Sequence, residues 1–201
     1  MNIPAIPFEP FPKIARLSRE VVITEKIDGT SATIFIDDSG AIYAGSRTGW
    51  ITPLKDNYGF ASWVESNKNE LAILGPGFHR GEWWGRGIQR GYGLDEKRFS
   101  LFNTIRWCLN GTEPMQIKTQ DPRIVKYQDV LPSCVGLVPV LYKGIFDTFI
   151  IGGILQTMKE QGSRAVPGFM NPEGIVVFHV AGNVGFKKTI EKDDEYKGKL
   201  A

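Results

Sequence analysis

The chain has 201 residues, 42% apolar and 23% charged, with a formal net charge of only +2. That length supports one core of ordinary size and leaves little room for two, and the balance is that of an ordinary globular protein. The charge argues against binding nucleic acid through the overall field, so any basic surface must be local. Two cysteines, Cys108 and Cys134, form no CxxC; they argue against a disulfide scaffold or structural zinc and fit a reducing cytoplasm.

In chain order, Pro4, Pro7, Pro10 and Pro12 make the first dozen residues an extended arm and interrupt any signal-peptide pattern. Residues 21–25 are β-branched and read as a strand, with 30–36 as its partner and 26–29 at a turn between them. Asp37-Asp38-Ser39-Gly40 is a hairpin turn leading to a strand at 41–45, which gives an antiparallel meander. Residues 58–74 read as a helix with Phe60, Trp63, Val64 and Leu71 near one face, stopped by Gly75-Pro76-Gly77. A strand follows at 78–84, then a loop rich in glycine and arginine at 85–93, a strand at 99–107, and a polar loop at 111–123 that reads as a peripheral insertion. The most apolar stretch, 135–158, contains Lys143 and Asp147 and is too interrupted for a membrane span. Residues 147–161 have helical features with Asp147 as cap, weakened by Gly152-Gly153. A loop at 162–172 leads to strands at 174–180 and 184–188, paired across Ala181-Gly182-Asn183. The tail at 191–199 is charged.

The sharpest feature is Glu25-Lys26-Ile27-Asp28-Gly29. A lysine at the end of a β-branched run can be a nucleophile. An ordinary lysine, with a pKa near ~10.4, is a free amine in only roughly one molecule in a thousand at neutral pH, so this chemistry needs burial, nearby cations or a metal. Lys187, Lys188 and Arg47 are the available cations. A lone KxDG is more often an exposed turn. Gly29 permits a turn or a close approach, and Asp28 can cap the turn or orient the lysine. Glu82 and Glu173 add carboxylates suited to magnesium, although Glu173, between Pro172 and Gly174, also fits a plain loop-end acid. Arg47 and the Lys187-Lys188 pair supply positive charge for phosphates, and Phe102 can stack on a base or pack in the core. Arg80, Arg86 and Arg90, interleaved with aromatic residues, can hold a strand by charge and stacking. The glycines there lack the following apolar helix of a dinucleotide loop. His79 and His179 have no metal-like spacing.

Taken in order, Lys26 to Gly29, Ser46-Arg47, Glu82, Phe99 to Asn103, Glu173 to Val176 and Phe186 to Lys188 resemble the motif series of the covalent nucleotidyltransferase superfamily of DNA ligases, RNA ligases and mRNA capping enzymes. The likeness is strongest to ATP-dependent RNA ligases and spans about residues 21–190. It implies an α+β fold of antiparallel β-sheets flanked by helices, an ATP-grasp-like nucleotidyltransferase (adenylation) core. It also implies ATP and Mg2+ (with Mn2+ as a substitute) as cofactors. The implied reaction has three steps: Lys26 takes AMP from ATP, passes it to a 5′-phosphate, and a 3′-hydroxyl displaces it to seal the strand.

Carried over by position, Glu25 contacts adenine through its backbone, Arg47 holds the AMP phosphate or the nucleic acid, and Glu82 binds the ribose. Phe102 stacks on adenine, Glu173 helps bind the metal, and Lys187 and Lys188 hold the α-phosphate. Two positions depart from the family pattern. The usual basic strand reads KxK, whereas Lys187 and Lys188 are adjacent and point to opposite faces; Lys187, with Thr189 on its face, is the favoured one. Asn103 stands where RNA ligases often have Asp. The expected protein is a single adenylation domain across 1–201 without a C-terminal OB-fold domain. It is a cytoplasmic monomer acting on RNA or a nicked RNA/DNA duplex, with no membrane association; by analogy with compact enzymes it is a phage or viral repair ligase. A minimal DNA ligase, a GTP-dependent guanylyltransferase and an inactive nucleotide- or RNA-binding module are the competing readings.

Overall fold

The computed structural model describes residues 6–191 and Asp193; the first five residues of the arm and most of the charged tail lie outside that range. Among the described residues, ten strands build two sheets that meet at Lys26, four short strands form two small ladders outside them, and the helices cover the far faces.

The chain enters through β1 (Glu20–Lys26) and continues into β2 (Thr30–Ile36), β3 (Ile42–Gly45) and β4 (Trp50–Ile51). Two short helices follow, α1 (Phe60–Ser66) and α2 (Lys68–Leu71), ending in a 3-10 turn at Ala72–Leu74. Then come β5 (Gly77–Gly85), β6 (Lys97–Leu101), β7 (Trp107–Cys108), β8 (Gln116–Ile117), β9 (Lys126–Tyr127), β10 (Asp129–Val130), β11 (Gly136–Leu137) and β12 (Val140–Ile145). The long helix α3 (Thr148–Gln161) precedes β13 (Gly174–His179) and β14 (Val184–Thr189). The expected helix at 58–74 is therefore broken: the Asn67 side chain turns back to Trp63 O, and α2 begins only after it. The expected strand at 99–107 is also split, with a turn at 104–106 between β6 and β7. The polar segment at 111–123 is loop apart from β8, which pairs with β9.

One sheet has the order β12-β1-β13-β14 and the other β11-β6-β5-β2-β3-β4. The expectation that the strand at 30–36 pairs with the one at 21–25 is thus overturned. β1 pairs with β12 and β13, whereas β2 pairs with β3 and β5. The meander holds only for β2, β3 and β4. β12, hidden in the apolar stretch, takes the edge position beside β1.

Three cores follow from the strand periodicity. Ala32, Ile34 and Ile36 of β2 point inward with Trp83, Phe99 and Leu101 onto Phe60, Val64 and Leu71 of the short helices. Val21, Ile23, Ile175 and Val177 pack on Leu155 and Met158 of α3. α3 begins where Asp147 accepts the N–H of Phe149, as an N-cap should. The third cluster, Ile27, Trp84, Tyr92 and Val138, lies under the segment that crosses between the sheets. Among the described residues, no helix is long and apolar enough to cross a membrane.

Candidate active site

β1 is buried on both faces, and its alternation assigns each residue a side. Val21, Ile23 and Glu25 face α3; Val22, Thr24 and Lys26 face the other way. Ile27, only 3% exposed, then anchors the crossing chain in the third cluster. Lys26 therefore ends one sheet at the point where the chain departs for the other. Its Nζ donates to Glu173 Oε2, and both side chains are largely enclosed. Glu173 immediately precedes β13, whose Gly174 is the register partner of Lys26. Gly174 has φ +152, and a Cβ there would lie 2.3 Å from Lys188 O, so a larger residue would push the glutamate off the lysine.

The other sheet approaches through Gly29. A Cβ at Gly29 would lie 2.5 Å from Trp83 O and 2.7 Å from the Trp84 Cβ, so only glycine lets the crossing segment lie against β5. Glu82 comes from that strand, opposite Ser31. Burial pushes its carboxyl from the usual 4.5 up to about 7. The Lys26 ammonium and the Gly29 N–H oppose that rise, and the Glu173 and Asp28 carboxylates add to it. Lys26 with Asp28, Glu82 and Glu173 thus come from three separate segments into one electrostatically coupled neighbourhood.

The register of the sheets settles which way the remaining candidates point. Lys187 pairs with Val176, which pairs with Thr24, so it shares the face of Lys26. Lys188 pairs with Ile175, opposite Glu25, and lies on the α3 side, where it bonds to Asp193 Oδ2 at 2.7 Å. On the second sheet, Phe102 donates its N–H to Arg80 O, one rung beyond the Glu82–Ser100 pair. Its ring therefore lies on the Glu82 face, 46% exposed. Arg47 sits at the tip of the β3–β4 hairpin and lines a groove with Ser31 and Arg80. Glu25 also has a structural part to play through its side chain. Its N–H goes to Pro139 O, and its buried carboxylate accepts from Ser163 Oγ and the N–H groups of Arg164 and Ala165 at 2.6–2.8 Å. It ties the loop after α3 to the strand that carries the lysine.

Sequence reasoning missed one residue of the site. Arg90, considered for strand binding, turns inward. Its Nε donates to Asp28 Oδ2 at 3.0 Å, and its Nη1 donates to Asn171 O, Asn171 Oδ1 and Pro172 O. It joins the segment after Lys26 to the segment before Glu173. Tyr92, buried beside it, accepts the N–H of Asp28 at 2.9 Å, and burial pushes its hydroxyl well above the usual range. The left-handed backbone at Gly85, Gly87, Gln89, Gly91, Tyr92 and Gly93 is what folds this loop under the site. Its glycine content was the available signal, but nothing in the spacing couples positions 28, 90 and 171.

Residues 19–191 match the family model described as RNA ligase. The fold is also similar to solved structures of an RNA ligase from Naegleria gruberi. A ligand-free variant of that enzyme has a TM-score of 0.54 at 21% identity, covering 90% of this chain and 53% of that one. A variant with AMP and Mn has a TM-score of 0.52 at 20% identity, covering 90% and 53%. A third, with ATP and Mn, has a TM-score of 0.51 at 18% identity, covering 87% and 51%. The chain spans about half the length of these relatives, and no curated protein matches it. The match runs through every motif from Lys26 to Lys188, and the chain belongs to the RNA ligase family.

Proposed function

We propose that this chain is the ATP-grasp-like adenylation core of an ATP-dependent RNA ligase, joining 5′-phosphate and 3′-hydroxyl ends through an AMP carried on Lys26. The observation that carries this reading is the Lys26 amine against Glu173, at the junction of two sheets, with Glu82 of the second sheet within electrostatic reach of both. The family match and the AMP- and ATP-bound relatives support it.

In the first step Lys26 Nζ attacks the α-phosphorus of ATP. A nitrogen–phosphorus bond forms as the bond to pyrophosphate breaks, and Glu173 Oε2 is positioned to accept the amine's proton. Lys187, on the lysine's face, offsets charge on the α-phosphate. Phe102 stacks on the adenine and Glu82 binds the ribose hydroxyls, consistent with their adjacent rungs on one face. In the second step a 5′-phosphate oxygen displaces Lys26 from phosphorus, with Arg47 holding phosphate. In the third, a 3′-hydroxyl attacks that 5′-phosphate and AMP leaves. Arg90 keeps the lysine and glutamate segments in register.

Among the described residues no three Asp, Glu, His or Cys side chains cluster as an all-protein metal cage. Magnesium bound by one or two carboxylates and substrate phosphates needs none. Glu173 would hold it there, and the ion would neutralise charge on the triphosphate. Incubation with α-labelled ATP and magnesium is expected to label the protein covalently. A Lys26→Ala protein that still labels would refute the assignment.

A further inference from the structure

The outward face of the six-stranded sheet continues past Glu82 and Phe102 as a surface the adenylation chemistry does not use. Register fixes its rungs. Ser100, Glu82 and Ser31 form one; Phe102, Arg80, Thr33, Gly45 and Trp50 the next; Phe78, Phe35 and Tyr43 the third. Four of these side chains form one aromatic platform. The centroid of Phe35 lies 4.5 Å from Phe78, 5.9 Å from Trp50 and 6.0 Å from Tyr43, and Trp50 stacks near Phe78 at 6.3 Å. Such a cluster normally lies inside a protein. Here Trp50 is 58% exposed, Phe78 57% and Tyr43 47%.

We infer that this platform is the track for a single strand of the polynucleotide substrate, its bases stacked on Trp50, Phe78 and Tyr43 and its phosphates on Arg80 and Arg47. The inference rests on the ligase reading above. Two observations select this occupant. The first is charge: among the described residues Arg47 and Arg80 enter no ion pair. Arg80 lies over the Phe78 ring at 5.6 Å instead, and with Trp50 and Arg47 it lines a groove of about 340 Å³. Asp37, the acid at the far end, is already engaged by Ser39, Ala41 and the Tyr43 hydroxyl. Rings with unpaired guanidinium groups at their rim suit bases on a phosphate chain, since stacking tolerates any base and arginine grips phosphate. The second is continuity: from Phe78 to Glu82 the strand runs ~13 Å at ~3.3 Å per residue, so a strand on the platform leads directly to the site.

The test uses the intact chain. Trp50 is more exposed than Trp83, Trp84 and Trp107, which are buried, and than Trp63, which is partly buried. Titration with a short single-stranded oligoribonucleotide lacking a 5′-phosphate is expected to quench its fluorescence. By filter binding, Trp50→Ala and Phe78→Ala are each expected to weaken the complex about five- to twentyfold, while Trp50→Phe, which keeps a ring, retains affinity within about threefold. Labelling of Lys26 by α-labelled ATP should not change in any of the three, and each should keep a single cooperative urea transition, lowered in the alanine variants by the lost ring contacts. Wild-type strand affinity in both alanine variants would overturn the inference while leaving the ligase reading intact. So would a wild-type dimer that Trp50→Ala converts to monomer without weakening strand binding, since the face would then belong to a second copy. Wild-type protein that takes no label at all would instead sink the ligase reading.

Discussion

Glu82 links the geometry of the site to the stability of the whole chain. In the fold its carboxyl titrates at about 7, chiefly through burial, against 4.5 ordinarily. The native state therefore holds this proton more tightly than the unfolded chain. The associated stability is complete below about pH 4.5 and is lost as pH rises through about 7. The gap corresponds to about 3 kcal/mol, or about 6–12 °C in Tm for a chain of this size. Glu82→Gln keeps the shape and removes the titration. Urea unfolding of both proteins between about pH 5 and pH 8 is the assay. The wild type is expected to lose stability relative to the variant as pH rises, with most of the change between about pH 5 and pH 7. Parallel stability curves for the two proteins would refute the idea that burial of this carboxyl opposes its ionisation.

The two adjacent lysines should separate in the labelling assay. Lys187→Ala, on the face of Lys26, is expected to lower adenylylation about a hundredfold or more, and Lys188→Ala, on the α3 side, by less than about threefold. Equal losses would contradict the register. Arg90→Lys removes the fork that joins Asp28 to Asn171 and Pro172. Lysine cannot reproduce it, so labelling of Lys26 is expected to slow about ten- to hundredfold through misplacement of the amine. Retention of the wild-type rate would show that the bridge does not position the site.

The motifs were legible in the sequence because their chemistry is local. Lys26 with Gly29, Glu82 within a strand, Glu173 before Gly174, and the basic pair at 187–188 are each short local patterns, ordinary alone and telling in their order along the chain. Strand alternation foretold the opposite facing of Lys187 and Lys188, and the Asp147 cap foretold α3. The pairing of strands was another matter. Val21-Val22-Ile23 and Thr30 to Ile36 have compatible patterns, and a short connection ordinarily means a hairpin; nothing local reveals that β12 and β13 compete for β1 and win. Tertiary structure alone decided that the chain crosses between sheets at Lys26, and that crossing is what puts the amine in a cleft instead of on a turn. Arg90 and the Glu25 carboxylate follow the same logic. Their partners lie at positions 28 and 171 in one case and 163–165 in the other, and a side chain's long-range partner is set by which surfaces pack together, which residue type and spacing do not record.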